Sequence, residues 1–457
     1  MQERNYWPFW VERDLESDGV KRWSSLGPLA FGSQNEAGDR LRGFRPLFHD
    51  FKSDEGSTSR SVVYPLWYRE YAAPEDQHRW TILNLINSKT GAGNDDRFAV
   101  WPIYFSRETG EPETSYRAVF PIYGDIGQRF GQSQLKWAPF PLYVRYEKNG
   151  AVTTSTPWPF IKNYHGENQR GFAVWPLAGK REVPGVSSNR YLLWPLLYQK
   201  EGDLDTAEPS YRAGFLPLYA TETSAGYRSE TFGWPFFGYS RRTSPVVYKQ
   251  NNFFWPLWVQ GRGEDRYVNR WAPLFSYSKT PSREQTWLAW PLWRDRQWSS
   301  EHLDHRRQQL LYFVYHSEVQ TSRQSPDAEA AVKRHLWPLV SHWNNGAGRV
   351  QTQLLSPLEV FFPHNERMRQ MWSPLFALYR FDQKSPGEFR HSVLWDAITF
   401  ARSDSQQSRE FHLGPLFNFR SDATETQWGI LAGLFRVSRP AGQGLWAGSF
   451  LTDRNSP

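Results

Sequence analysis

Short apolar segments recur along the whole chain, and polar stretches separate them. Most segments contain an aromatic residue, then Pro, then Leu, Ile or Phe, then often a second aromatic residue. Clear copies are Trp7-Pro8-Phe9-Trp10, Tyr64-Pro65-Leu66-Trp67, Trp101-Pro102-Ile103-Tyr104, Trp255-Pro256-Leu257-Trp258 and Trp290-Pro291-Leu292-Trp293. Segments that keep the rhythm without the proline centre near Leu83, Tyr312, Trp395, Ile430 and Trp446. About 24 units, spaced about 19 residues apart, therefore form one internal repeat.

Each unit predicts one β-strand. Residues 211–222 are a typical example, because they are apolar in the middle and polar at both ends. Aromatic and branched side chains favour the pleated surface of a sheet. About seven apolar residues at about 3.3 Å each would give a band about 23 Å long.

The connections predict antiparallel pairing. Residues 148–151 read Lys-Asn-Gly-Ala, and Asn-Gly suits both central positions of a type I′ hairpin turn. Residues 344–348 and 109–112 are similar, and such short connections cannot make parallel crossovers. We therefore expect an all-β, antiparallel meander of about 24 strands in a single domain, 1–457, with a longer loop near 317–334.

Proline is unusual inside a strand, since it removes a ladder hydrogen bond. More than half of the 32 prolines occupy the same place in the repeat. They predict a row of kinks or bulges that curves the sheet. The alternative is that they pack against aromatic rings in a soluble core.

The repeat resembles bacterial outer-membrane β-barrels as a class. That resemblance implies an even strand number, an apolar band about 25 Å tall and aromatic girdles. It also implies closure into a large barrel, which leaves no exposed sheet edge. The expected function is then a non-enzymatic channel or envelope scaffold for small or lipidic solutes. Such a protein would contact membrane lipid in the bacterial outer membrane, its signal peptide having been removed.

A soluble array of stacked hairpins or sandwiched sheets is the main alternative. It would bury both faces of each strand and leave the polar ends solvated. Such a protein would be periplasmic or cytoplasmic and would bind glycan or protein partners. A parallel β-helix fits less well, because the polar residues 199–209 would line its core. A propeller fits poorly too, since its blades would need about 76 residues against the usual 40–50 or so.

Composition narrows the classes of protein further. The 457 residues contain 24 Trp and no Cys, which excludes disulfides, cysteine zinc sites and thiol catalysis. No apolar run reaches the roughly 20 residues of a membrane helix. The net charge of +7 comes from interspersed charges, so we expect no nucleic-acid partner. No apolar signal segment follows the N-terminus.

Motifs of known chemistry are missing from the sequence. It contains no phosphate-binding glycine loop, no HExxH and no GxSxG. We therefore expect neither enzymatic activity nor a cofactor, and we interpret His302 and His305 as solvated or structural residues instead of metal ligands.

Five charged residues remain as candidates for a functional site. Asp396 stands between Trp395 and Ala397 in an apolar segment, and a buried carboxylate needs a partner. We expect it to face a lumen or to pair with an arginine. Four arginines flank the apolar segments and could line a pore or bind anions; they are Arg97, Arg117, Arg145 and Arg212.

Overall fold

The computed structural model describes residues 2–15, 19–111, 114–362, 366–431, 433–441 and 447–450. The chain divides into two compact units. Unit 1 combines Met1–Asp76 with Leu292–Pro457, and unit 2 is Gln77–Pro291. The single domain 1–457 expected from the repeat therefore stays a prediction.

Unit 1 begins with eight strands that follow one another along the chain. They are β1 (Gln2–Tyr6), β2 (Trp10–Leu15), β3 (Val20–Ser25), β4 (Ala30–Gln34), β5 (Arg40–Phe44), β6 (Phe48–Lys52), β7 (Thr58–Val62) and β8 (Trp67–Ala72).

Unit 2 contains the next strands of the chain. They are β9 (Gln77–Ile82), β10 (Ile86–Gly91), β11 (Asp95–Val100), β12 (Tyr104–Thr109), β13 (Tyr116–Val119), β14 (Gly124–Arg129), β15 (Gln132–Trp137), β16 (Val144–Lys148), β17 (Ala151–Ser155), β18 (Ile161–Gly166), β19 (Arg170–Val174), β20 (Ala178–Val183), β21 (Ser187–Leu192), β22 (Leu197–Gly202), β23 (Ser210–Phe215), β24 (Tyr219–Ser224), β25 (Tyr227–Phe232), β26 (Phe237–Arg242), β27 (Tyr248–Phe253), β28 (Trp258–Gly263), β29 (Tyr267–Trp271), β30 (Phe275–Thr280) and β31 (Arg283–Leu288).

The C-terminal part of unit 1 adds further strands and two short helices. They are β32 (Trp293–Ser299), β33 (Leu303–Leu310), β34 (Tyr315–Ser322), β35 (Ala331–Leu336), β36 (Val340–Asn344), β37 (Val350–Leu354), α1 (Glu366–Met371), α2 (Ser373–Phe376), β38 (Tyr379–Ser385), β39 (Glu388–Val393), β40 (Ile398–Ser403), β41 (Ser408–Leu413), β42 (Phe417–Ser421), β43 (Glu425–Ile430), β44 (Phe435–Pro440) and β45 (Ala447–Phe450). Among the residues described, no helix has the length and apolarity needed to cross a membrane.

The strands form an antiparallel meander, which confirms the predicted all-β class. Strands that are consecutive in the chain are neighbours in a sheet except at β13 and β14, where one sheet, β1–β13, ends and a second, β14–β45, begins. The register between β23 and β24, for example, runs from Tyr211 opposite Thr223 to Phe215 opposite Tyr219. Across the described residues of either unit, no strand pairs with a strand that is not its sequence neighbour.

The prediction of about 24 strands was wrong, because each repeat holds two strands instead of one. The described part of the chain contains 45 strands. Residues 211–222, predicted as one strand, lie in β23, a turn at 216–218, and β24. The apolar segment is the turn of a hairpin, and its polar flanks are the two strands. The unit centred near Trp446 lies outside the described residues.

Most prolines of the repeat lie at turns, so the predicted row of kinks inside strands was also wrong. Pro217, for example, lies between β23 and β24. At a turn the missing N–H of proline breaks no ladder bond. The carbonyl oxygen of proline still accepts a bond from the next proline turn along the sheet. Trp158 N donates to Pro141 O and Trp234 N donates to Pro217 O, each at 2.7 Å.

Polar turns join the hairpins to one another at the opposite edge. The turn after β16 confirms the predicted type I′ geometry, because Asn149 and Gly150 have φ of 50° and 74°. The loop expected near 317–334 is shorter than expected, since β34 extends to Ser322 and β35 begins at Ala331.

One face of the sheet is buried along the row of positions next to the proline turns. In unit 2 this row includes Ala99, Phe105 and Ala118, which are directly opposite one another on β11, β12 and β13. Farther along, Tyr198 of β22 is paired with Gly214 of β23. A Cβ added at Gly214 would lie 2.3 Å from Cε1 of Tyr198, so the ring covers the glycine.

Gly214→Ala is therefore expected to lower the free energy of unfolding by about 1–3 kcal/mol, because the added methyl group displaces the Tyr198 ring. Chemical denaturation followed by tryptophan fluorescence measures the change. Gly93→Ala is the matched control, since a Cβ there meets no atom within 4 Å. Equal effects of the two substitutions would contradict the proposed packing.

Candidate functional site

Unit 2 carries a continuous row of apolar turns along one edge of its sheet, which we call the apolar ridge. The ridge comprises the eleven turns that join an odd-numbered strand to the next even-numbered strand within the unit. These turns are 83–85, 101–103, 120–123, 138–143, 156–160, 175–177, 193–196, 216–218, 233–236, 254–257 and 272–274.

Large apolar side chains of the ridge are exposed to solvent. The most exposed are Leu274, Ile122, Leu142 and Leu218, at 74%, 65%, 61% and 61%. Trp101, Trp194 and Trp255 of the same turns are also exposed. These rings and leucines come from consecutive turns, so they form one band and not scattered surface residues.

The opposite edge of unit 2 is mainly polar, with single exposed apolar residues such as Phe130 and Leu204. Its turns include 149–150, 203–209, 225–226 and 281–282, which are rich in Asn, Gly, Asp, Glu and Ser. Strands of about six residues separate the two edges by about 20 Å. The hairpins therefore place apolar and polar surfaces at opposite ends of every strand.

Unit 1 contains a buried cluster of charged side chains between strands of two different sheets. Arg390 of β39 donates to Glu3 Oε2 of β1 at 3.0 Å and to Asp396 Oδ1 at 2.8 Å. Arg13 of β2 donates to Asp396 Oδ2 at 3.2 Å. Thr399 Oγ1 donates to Glu3 Oε1 at 2.7 Å. The cluster thus holds the face of β1 and β2 against the face of β39 and β40.

Neutral groups complete the hydrogen bonding of the cluster. Ser392 Oγ donates to Asp396 Oδ1 at 2.6 Å and accepts from the Asp396 backbone N–H. Asn5 Nδ2 donates to the Asp396 carbonyl at 2.7 Å. Two cations and two carboxylates, all partly or fully buried, therefore compensate one another, as buried charges require.

Burial and the neighbouring charges shift the pKa values of the cluster in opposite senses. Burial alone would raise the pKa of Asp396, but Arg390 and Arg13 outweigh it, and its pKa lies below the usual range. The same balance, dominated by Arg390, lowers the pKa of Glu3. Burial would lower the pKa of Arg390, but Asp396 and Glu3 raise it overall. All three groups are therefore charged at neutral pH.

The sequence predicted that Asp396 would either face a lumen or pair with an arginine. In the structure it pairs with Arg13 and Arg390. Its position differs from the prediction, since it lies in the turn between β39 and β40 with φ of 76° instead of at a strand centre. Asp tolerates this left-handed backbone better than most residues.

The four arginine candidates lie on separate strands of unit 2, and the structure does not bring them together. Arg97 on β11 pairs with Asp95 at 2.5 Å, and Arg145 on β16 pairs with Glu147 at 3.5 Å. Arg212 on β23 pairs with Glu222. Arg117, on β13, is exposed. Their predicted role in lining a pore stays a prediction.

The partners of Asp396 could not be found in the sequence. Glu3 lies 387 residues from Arg390. Nothing local distinguishes Glu3 and Arg13 from the other charged residues of the N-terminal strands. Asp396 itself could be recognised in the sequence, because it is a charged residue inside an apolar segment.

His302 and His305 were predicted to be solvated or structural residues. His302 lies between β32 and β33, and His305 lies on β33. The ring of His305 stacks on Trp298, with centroids 4.8 Å apart, and His302 lies 4.0 Å from Glu301. Within the described residues, no three His, Asp or Glu side chains are grouped closely enough to hold a metal ion.

Comparison with known proteins does not place the chain in a family. No model of a protein family matches the chain, and no curated protein matches it significantly.

Arg390→Gln is expected to lower the free energy of unfolding by about 3–5 kcal/mol, because it leaves Glu3 and Asp396 buried without their main cation. Chemical denaturation measures the loss. Arg402→Gln is the matched control: Arg402 is 40% exposed and pairs with the exposed Asp404, so the expected loss is below about 1 kcal/mol. Similar losses in both variants would show that the cluster does not hold the two faces together.

The cluster also predicts a dependence of stability on pH. A carboxylate whose pKa is lowered by folding stabilises the protein above its unfolded-state pKa of about 4, and that stabilisation is lost as the pH falls further. The free energy of unfolding should therefore decrease between about pH 4 and pH 2. In Asp396→Asn the decrease should be shallower, as measured by urea unfolding at each pH. A slope equal to that of the original protein would exclude Asp396 as a contributor.

Proposed function

We propose that the protein is a non-enzymatic envelope scaffold that binds a lipid surface through the apolar ridge of unit 2. The observation that carries this proposal is the exposure of leucine, isoleucine, phenylalanine and tryptophan side chains at consecutive turns of one edge.

Energetics favour a partner for the ridge. Full burial of one Leu or Phe side chain contributes about 1.5–3 kcal/mol. Soluble monomers rarely expose continuous apolar patches larger than a few hundred Å² or so. The exposed apolar band of unit 2 extends over eleven turns, so it is larger than such patches usually are.

A lipid surface suits the ridge better than a globular partner. Each hairpin advances the ridge by about 10 Å, so the eleven turns follow about 100 Å of sheet. A bilayer offers equivalent contacts along such a length, whereas a single protein partner does not. The tryptophans of the ridge have the amphipathic rings that are enriched at membrane interfaces. The net charge of +7 favours anionic lipid.

The short strands of unit 2 favour binding at the membrane surface over a barrel that spans the membrane. A membrane-spanning strand needs about 9–11 residues, and the strands of unit 2 have four to six. Charged side chains also lie on both faces beyond the ridge; Lys180 and Arg181 are adjacent on β20 and both are exposed. We therefore propose insertion of the turns into the interface, and not a channel across it.

The packing of strands in unit 1 also bears on the choice between a barrel and layered sheets. In unit 1, Glu3 and Arg13 contact residues of β39 and of the turn that follows it, so two buried faces meet. That contact supports layered sheets, the alternative architecture, more than an open barrel with a water-filled lumen.

Vesicle flotation tests the proposal. The full chain is expected to float with vesicles of phosphatidylcholine and phosphatidylglycerol. The triple variant Leu142→Ser, Leu218→Ser, Leu274→Ser should bind at least about tenfold more weakly, because each leucine loses its apolar contact with lipid.

The matched control carries three substitutions at the polar edge of the same unit. Val186→Ser, Leu204→Ser and Val247→Ser change exposed turn residues and should leave flotation unchanged. Absence of flotation by the full chain, or equal loss in both triple variants, would overturn the proposal. So would a dimer, detected by sedimentation, that only the ridge variant dissociates while no vesicle binding occurs.

A further inference from the structure

Unit 1 contains a cavity of about 260 Å³ that is rich in cationic side chains. It lies between β2 and β3 on one side and the strands from β36 to β40 on the other. Six arginines line it, and Lys384 adds a seventh cation; the arginines are Arg13, Arg22, Arg349, Arg380, Arg390 and Arg402.

Among the described residues that line the cavity, carboxylates are fewer than cations. Asp382 and Glu388 belong to its wall. Glu3, Asp396 and Asp404 lie behind the wall and pair with wall arginines. Four of the wall arginines, Arg13, Arg380, Arg390 and Arg402, form ion pairs with carboxylates of the described residues.

Arg13 is close to a second arginine of the cavity wall, Arg390. Burial and the nearby Arg390 lower the pKa of Arg13, although Asp396 and Glu3 oppose that change. Arg13 Nε is buried and has no hydrogen-bond partner among the described residues. A bound anion would relieve the repulsion between Arg13 and Arg390.

Arg349 supplies a cation that no carboxylate neutralises. Its backbone N–H donates to Asn345 Oδ1 at 3.0 Å, which fixes the loop before β37. Its guanidinium lies 5.9 Å from the centre of the Trp343 ring. In the part of the chain that the structure describes, Arg349 makes no ion pair. It is therefore available to a ligand without breaking an ion pair of the described residues.

We propose that this cavity binds a small phosphate-bearing compound. The planar forks of the arginines match phosphate oxygens two at a time. Trp343 and Phe389 also line the cavity and provide apolar faces for the uncharged part of the compound. The volume, just below the range of about 300–1,000 Å³ for ligand pockets, suits a small ligand.

The position of the cavity favours a free compound over a lipid headgroup. Trp343, Arg349, Lys384 and Glu388 lie at the ends of their strands that carry polar turns. The proline turns are at the other ends, about 20 Å away. A headgroup in a bilayer that touches the proline turns of unit 1 would therefore not reach the cavity.

Isothermal titration calorimetry of the full chain with inorganic pyrophosphate tests the site. Saturable binding is expected at about 0.15 M salt, which screens weak surface attraction. Arg349→Gln should weaken binding about tenfold, since one charge-assisted hydrogen-bonding group is lost. Arg22→Gln, from the opposite wall, should weaken it by a similar factor.

Arg334→Gln is the matched control. Arg334 is exposed on β35 and lies outside the cavity, yet its substitution removes the same charge. Its pyrophosphate affinity should equal that of the original protein. Equal weakening in Arg334→Gln, or no saturable binding by the original protein at millimolar pyrophosphate, would overturn the proposal.

Vesicle flotation of Arg349→Gln separates the two sources of phosphate. Unchanged flotation together with weaker pyrophosphate binding supports a free compound. Loss of flotation with unchanged pyrophosphate binding would overturn the proposal in favour of a headgroup site. Circular dichroism and the melting temperature of each variant establish that it is folded, and Arg22→Gln serves as the second cavity variant if Arg349→Gln does not fold.

Discussion

The hydrogen bonds between successive proline turns are the constraint on which the rest of the structure depends. Proline cannot donate a backbone hydrogen bond, so it is tolerated only where the ladder needs none. The residue before it still donates to the preceding turn, as Trp158 does to Pro141 at 2.7 Å. Each turn therefore stacks on its neighbour, and every strand begins and ends at the same two edges. Short strands and the meander order follow from that alignment.

The same alignment places apolar and polar side chains in different parts of the molecule. Apolar side chains concentrate at one edge of unit 2, because the apolar residues of each repeat are the turn itself. Polar residues concentrate in the strand bodies and at the opposite edge. An edge lined by exposed leucines such as Leu274 suits an apolar surface. In unit 1, the arginine-lined cavity opens among the polar strand ends, where charged groups already collect.

Unit 1 has a second organising interaction, the buried group formed by Glu3, Arg13, Arg390 and Asp396. Strand ladders join only neighbours in the chain, so they cannot bring the first strands to β39 and β40. Charged pairs across the two faces do so. Each buried charge needs its partner within hydrogen-bonding distance, so a shift of one face against the other would leave charges uncompensated.

The sequence by itself determined the repeat, the all-β class, the antiparallel order and turns such as Asn149-Gly150. These depend on local propensity and on connections of a few residues. Three things were decided only by the tertiary structure. The apolar segments are turns, because proline avoids positions that need an N–H. Asp396 meets Glu3 through Arg390, because packing brings together residues nearly 400 positions apart. The arginine cavity exists because separate strands align their charged positions, and no local pattern encodes that alignment.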